Sequence, residues 1–177
     1  MERLFFTSFE SPYGRLWVMR SNNGVVRLIL PTPSRRKLDP GLSLLSEFRD
    51  RHLPGFQMKE SKNQFRDVNR WLKSLFRGDP PGETVPVDLY GTDFQKAVWK
   101  IVHGIPFGTT ITYGAISNRI KRRSSAARAV GAAVGANPVP LIVPCHRVIG
   151  ERDKLVGFGG GLKMKQGLLR AEGILLL

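Results

Sequence analysis

Apolar positions cluster in three short stretches near the N-terminus: Leu4–Phe9, Arg15–Ser21 and Val25–Leu30. Ser11-Pro12-Tyr13-Gly14 and Asn22-Asn23-Gly24 stand between them, residue types that reverse a chain tightly. The pattern predicts a β-meander. From Pro31 to Pro40 the periodicity stops, and the basic cluster Arg35-Arg36-Lys37 lies in a predicted loop. A short helix is expected over Leu42–His52. A stronger one is expected over Asn63–Phe76, where Phe65, Val68, Leu72, Leu75 and Phe76 recur at helical spacing and Gly78 follows the end. Gly78-Asp79-Pro80-Pro81-Gly82 breaks the chain, and Val85–Tyr90 predicts one more strand. Trp17 and Trp71 read as core residues.

The pattern changes after residue 90. Thr92-Asp93-Phe94-Gln95 has the form of a capping box opening a helix, with Phe94, Ala97, Val98, Ile101 and Val102 as its expected buried stripe. Asp93 in that first turn is explained by the helix dipole. After the turn Pro106-Phe107-Gly108-Thr109-Thr110 come a short helix (Tyr113 to Ile120), a polar loop (121–124) and a helix from Ser125 to about Ala136. Two short helices about a tight turn predict a helix-turn-helix. Val139-Pro140-Leu141-Ile142-Val143 reads as a buried strand or stiff extended segment, and Leu162–Glu172 as a last helix ended by Gly173. The expected fold class is α/β (α+β). A small mixed β-sheet domain with one or two helices would span residues 1–90. A mostly helical domain with the helix-turn-helix would span 91–177.

Charge sharpens this division. The net charge is +14, and residues 91–177 carry thirteen Lys/Arg against four Asp/Glu. From Phe94 through Gly150 there are eight basic residues and no acidic one. Such a segment favours a polyanion, nucleic acid above all. The second helix of the pair is unusual for a base reader. Ala126, Ala127, Ala129, Gly131, Ala132, Ala133, Gly135 and Ala136 leave Arg128 as its only long side chain. Small residues also allow close helix packing, but a helix this slim suits the narrow minor groove, with one cation to insert. No apolar run is long enough for a membrane span, and the N-terminus has no signal-peptide pattern. One cysteine and three histidines supply a metal site poorly, so no metal is expected.

Candidate chemistry centres on Pro144-Cys145-His146-Arg147-Val148, which holds the sole cysteine. A thiol beside an imidazole and a guanidinium can be driven toward thiolate, whereas most free cysteines are buried as small hydrophobes. A Cys-His pair needs a group to orient the imidazole. Of the acidic residues past 90, Asp93 is accounted for by capping, and Glu151 and Asp153 look like solvated turn residues. Glu172 remains, at a helix end where the dipole disfavours it. A nucleophile, a base and a DNA-binding motif together point to an electrophilic centre on nucleic acid. A base inside a duplex must be flipped out to reach a buried thiol, and Arg128 could fill the gap. Gly157-Phe158-Gly159-Gly160-Gly161 lacks the remainder of a P-loop and suits a mobile wall over a pocket.

Residues from about 92 to 173 resemble the O6-alkylguanine-DNA alkyltransferases (methylated-DNA–protein-cysteine methyltransferases). The resemblance rests on Pro144-Cys145-His146-Arg147-Val148, Ala127-Arg128-Ala129-Val130-Gly131, Asn137-Pro138-Val139-Pro140, Tyr113 and the Gly-rich loop before the last helix. It implies direct, irreversible, single-use transfer of an alkyl group from guanine O6 to Cys145, with O4-alkylthymine as a further candidate substrate. By position, Cys145 would be the nucleophile, His146 its base acting through a water, and Glu172 the orienting partner. Tyr113 would assist the leaving guanine and rotate its phosphate. Arg128 would fill the stack, and Asn137 would tie the helix-turn-helix to the active segment. Arg122, Arg123, Ser124, Ser125 and Ala127 would complete the DNA contacts. Backbone groups at Cys145 and Val148 would read the guanine edge, and Pro140, Phe158 and Gly159 would line the alkyl pocket. The family often has Tyr and Ser where Phe158 and Gly159 stand, and some relatives bind zinc through cysteines that this chain lacks.

The resemblance implies no cofactor, and double-stranded DNA containing O6-alkylguanine as partner. It also implies a monomer in the cytoplasm of a prokaryote or the nucleus of a eukaryote. The chief rival from a non-enzyme class is a damage sensor that binds alkylated DNA without repairing it. Such sensors lack the reactive cysteine, so Cys145 argues against it. A helix-turn-helix transcription factor would need a helix that reads more bases. A cysteine hydrolase would need an oxyanion hole, and it leaves the acid-free region unexplained.

Overall fold

The computed structural model describes residues 2–31, 40–120 and 126–175. Strands β1 (Arg3–Ser11), β2 (Gly14–Arg20) and β3 (Val25–Ile29) form the expected antiparallel meander. Its first turn is closed by Ser11, whose Oγ donates to the Gly14 carbonyl at 2.6 Å. Helix α1 (Gly41–His52) then carries the chain back to β4 (Gln57–Glu60), which pairs parallel to β1. The sheet order is β3-β2-β1-β4, a mixed sheet.

Two expectations fail in this half. Strand β4 is missing from the sequence reading because Gln-Met-Lys-Glu at a sheet edge has no apolar alternation to reveal it. Conversely, Val85–Tyr90 is not a strand and makes a single bridge, Val25 to Val87. Pro86 has no N–H for a ladder, so only Val25 N–H to Pro86 C=O (2.8 Å) and Asp88 N–H to Val25 C=O (2.9 Å) form.

A 3-10 turn (Lys62–Phe65) leads into α2 (Arg66–Arg77), which ends on Gly78 in a left-handed conformation. Helix α3 (Asp93–His103) starts with a complete capping box, Gln95 N–H to Thr92 Oγ1 and Thr92 N–H to Gln95 Oε1. Its buried face is rotated from the expected stripe. Val98, Trp99 and Val102 are buried, whereas Ala97 is exposed. Trp99 draws the helix round because its indole N–H donates to the Ala133 carbonyl at 2.7 Å.

Helices α4 (Tyr113–Arg119) and α5 (Ala126–Gly135) follow the short strand β5 (Ile111–Thr112), and α6 (Leu162–Ala171) closes the chain. One buried cluster sits between the sheet and α1, around Leu4, Met19, Leu45 and Phe48. A larger one runs from Leu16 and Leu28 through Phe65, Trp99 and Val130 to Met164 and Leu168. That second cluster draws on both sides of residue 90. Backbone bonds reinforce it: β3, the sheet edge, donates from Leu28 N–H to the Pro138 carbonyl at 2.9 Å.

Helix α6 lies against the N-terminal half at two glycines. A Cβ on Gly78 would collide with the Ala171 carbonyl oxygen, and one on Gly167 with the Tyr13 hydroxyl. At Gly78 the neighbour is backbone, so close approach as well as turn geometry requires glycine, whereas at Gly167 it is the tip of a side chain.

Candidate active site

Every residue from Asn137 to Ile149 is buried. The apolar run Val139–Val143 is a tight turn, not the extended segment expected. Pro140 bridges to Val143, Val143 N–H donates to the Val139 carbonyl (2.9 Å), and Leu141 takes a left-handed φ of 75°. Prolines 138, 140 and 144 cannot donate to a ladder, and the Asn137 amide supplies an alternative closure. Its Nδ2 donates to the Val143 carbonyl at 2.7 Å, and its Oδ1 accepts from Val139 N–H at 3.0 Å. Asn137 thus joins the end of α5 to the cysteine segment.

Cys145 opens a 3-10 turn (Cys145–Arg147) that runs into strand β6 (Val148–Ile149). Strand β6 pairs parallel with β5, Ile111 opposite Val148 and Thr112 opposite Ile149. This pairing brings Tyr113, the first residue of α4, beside the cysteine turn, with Thr112 capping α4 through Oγ1 (3.1 Å to Ala115 N–H). Tyr113 is half-buried. Burial and, secondarily, the charge of Cys145 push its phenol pKa up, so the hydroxyl stays protonated and can donate.

His146 and Glu172 are brought together as expected, with Nε2 at 2.7 Å from Oε1 and both side chains buried. Burial alone would raise the Glu172 pKa, but hydrogen bonds from His146 and Arg147 outweigh it and hold the carboxyl below its usual value. An ionised carboxylate only accepts, so Nε2 carries the proton. Burial lowers the His146 pKa despite Glu172, and the ring is neutral. Nδ1 is therefore the basic nitrogen, and it has no hydrogen-bond partner among the described residues. Phe158 stands edge-on to the imidazole, with centroids 6.3 Å apart.

Two side chains of this site escaped the sequence reading. Arg147 does not serve the thiol. Its guanidinium meets Glu172 at 2.8 Å through Nε and 3.0 Å through Nη2, and donates to the Ile105 carbonyl at 2.7 Å. Gly108 N–H adds a further bond to Glu172 Oε2 at 3.1 Å. Glu172 at the C-terminal end of α6 is thus stabilised by a buried partner, which offsets the unfavourable dipole.

Lys165 is the cation that acts on the thiol. Its fully buried Nζ donates to the carbonyls of Val148 (2.6 Å) and Val156 (2.7 Å), and burial lowers its pKa to about 8. Burial raises the Cys145 pKa, against the opposing pull of the Asn137 amide and of Lys165. The resting sulfur is a thiol. The signal for Lys165 was present: a lone lysine on the apolar Met164, Leu168, Leu169 face of α6.

The remaining expected residues fall into three groups. Pro140 and Val148 are buried in the cysteine segment, Phe158 is half-buried and Gly159 exposed. On α5, Ala127, Arg128 and Ala129 are exposed, giving the slim outer face expected with its one long cation. Arg122, Arg123, Ser124 and Ser125 lie outside the described residues. So does the Arg35-Arg36-Lys37 cluster. Among the described residues no group of three or more His, Cys, Asp or Glu is placed to hold a metal, and no helix is long and apolar enough to cross a membrane.

Comparison with known proteins places these features in company. Residues 93–174 match the family model described as 6-O-methylguanine DNA methyltransferase, DNA binding domain. The chain is 35% identical to a methylated-DNA–protein-cysteine methyltransferase of Methanosarcina acetivorans, over 96% of this chain and 99% of that protein. It is 36% identical to the one of Salmonella typhimurium, over the full length of both. Among solved structures, Mycobacterium tuberculosis OGT in complex with DNA superposes with a TM-score of 0.75 at 34% identity, covering 96% of this chain and 93% of that one.

Proposed function

The chain belongs to the methylated-DNA–protein-cysteine methyltransferases, and from that premise we propose that it repairs DNA by moving the alkyl group of O6-alkylguanine onto Cys145 in a single, irreversible step. The observation that carries this reading is the arrangement of the Cys145 turn. The next residue is a buried neutral imidazole whose Nε2 is fixed by Glu172 and whose basic Nδ1 meets no protein partner. In the proposed step Nδ1, acting through a water, takes the thiol proton. Sulfur attacks the alkyl carbon, the carbon–O6 bond breaks, and its electron pair passes to the guanine ring. The Tyr113 hydroxyl hydrogen-bonds or protonates the departing guanine anion. Glu172, held by Arg147 and Gly108, keeps the imidazole tautomer fixed and stabilises the imidazolium that forms. Lys165 draws negative charge toward the sulfur as the proton leaves. The resulting thioether leaves no group for water to displace, so each molecule would act once.

A buried thiol cannot reach a base stacked in duplex, so the damaged nucleotide would be flipped into the pocket walled by Pro140, Val148 and Phe158. Helix α5 would enter the minor groove, with exposed Arg128 occupying the vacated stack. Without a hydroxyl at 158 or 159, O6 would depend on backbone donors there. The same pocket would serve O4-alkylthymine. No cofactor is required, and a monomer suffices. A damage sensor without repair activity is disfavoured, since Cys145 is present with His146, Glu172 and Lys165 arranged about it.

Intact-mass measurement after mixing with duplex DNA carrying O6-methylguanine tests the reading. One methyl gained on Cys145, with stoichiometric arrest, is expected. Repeated turnover, or no gain in mass, overturns it.

A further inference from the structure

A second concavity lies away from Cys145, where α1, β3 and the start of α3 meet the end of α5. It encloses about 300 Å³ and is lined by Arg27, Phe48, Arg51, His52, Tyr90 and Gln95, with others. None of the residues given a catalytic role above contributes to it. Three of its lining groups are basic, and they come from two different elements. Arg51 and His52 close α1, where the helix dipole alone favours cations. Arg27 has no such explanation, because it projects from the middle of β3.

The Arg27 guanidinium lies over the Phe48 ring at 5.4 Å, and its Nε is buried without a hydrogen-bond partner among the described residues. A guanidinium carries five N–H donors, and leaving one buried and unmet is costly. The one carboxylate in the lining, Glu47, is solvent-exposed and accepts from Ser43 Oγ at 3.2 Å. His52 stacks near Phe48 (4.6 Å) and Tyr90 (6.3 Å). The cations also work against one another. Burial and the charge of Arg51 lower the pKa of Arg27. The same two causes, together with Arg27 itself, lower that of His52. An anion seated between them would relieve this mutual repulsion.

We propose that this cleft binds a small phosphate-bearing molecule, its phosphate bridging Arg27, Arg51 and His52 and any attached ring lying on the Phe48–Tyr90 wall. A guanidinium pair is suited to phosphate oxygens, and the aromatic lining gives a flat substituent somewhere to rest. The volume suits a small molecule and is too narrow for a duplex.

The probes are inorganic phosphate, pyrophosphate and adenosine monophosphate, added at constant ionic strength to the full chain. The imidazole of His52 is followed by NMR, with His103 as internal control for general attraction to a basic protein. Saturable binding that raises the His52 pKa and leaves His103 unmoved is expected. Arg27→Met and Arg51→Gln should each weaken it about tenfold or more. Tighter binding of the nucleotide than of pyrophosphate assigns the natural ligand to nucleotides, and equal binding assigns it to the phosphate group alone. Parallel shifts at both histidines, unchanged binding in the Arg51→Gln protein, or a response only to unmodified duplex DNA would overturn the proposal.

Discussion

The Cys145 turn and the outer face of α5 solve opposite problems. In the first, five ionisable side chains (Cys145, His146, Arg147, Lys165 and Glu172) are buried together, and hydrogen bonds to neighbours fix the imidazole, guanidinium, ammonium and carboxylate before any substrate arrives. In the second, alanines surround one exposed arginine that is left to the solvent. Chemistry at an alkyl carbon demands preorganisation, since each displaced group costs rate. The proposed opening of a duplex would instead call for a surface that fits closely and one side chain free to move. The contrast teaches that damage in the two regions should be read by different assays.

The largest separation comes from Cys145→Ser, which should abolish methyl transfer in the intact-mass assay while leaving DNA affinity in a gel-shift titration unchanged. Next is Glu172→Gln. It leaves the Arg147 guanidinium buried without its anion, and should cost about 3–5 kcal/mol in denaturant unfolding as well as slowing transfer. If stability were unaffected, the carboxylate would be only an orienting group. Arg128→Ala belongs to the other region. It should slow repair in duplex about 10- to 100-fold, the scale of a few kcal/mol of unstacking, with little effect on transfer from free O6-benzylguanine. Equal slowing in both assays would erase the distinction. The same variant should flatten the dependence of log affinity on log salt by about one unit.

The smallest expected effect is a pH dependence confined to the buried region. The folded-state pKa of His146 lies below its ordinary 6.5, so the unfolded chain takes up a proton that the folded ring refuses. Stability should therefore begin to fall as pH drops through 6.5. The folded carboxyl of Glu172 also lies below its ordinary 4.5. Its contribution is present above that value and is lost as pH drops through the lower folded pKa. Denaturation midpoints measured against pH should show both losses, and His146→Gln should remove the first.

Which parts were legible in the sequence follows from how locally each is determined. The meander, α2 and the α3 capping box were readable, because alternation, helical spacing and caps act within a few residues. Glu172 could be reached by elimination in a region so poor in acid. Strand β4 could not, since an edge strand needs no apolar face. The tight turn at 139–143 was masked by apolar residues that are buried whether extended or folded back. Arg147 looked like a partner for the thiol because it is two residues away, yet the turn points it at α6. Its true partner lies 25 residues on, a relation that only tertiary packing creates. Lys165 is the reverse case: its position breaks the apolar face of α6, a local signal that was present but went unread.

The contact between Gly78 and Ala171 makes the first half of the chain a mechanical stop for the second. Residue 171 immediately precedes the carboxylate that steadies the imidazole, so a side chain at position 78 would press on the backbone next to that carboxylate. Gly78→Ala should thus behave as a slow-transfer mutant with normal DNA affinity. The N-terminal sheet and its helices would then set the alignment of an atom they never touch.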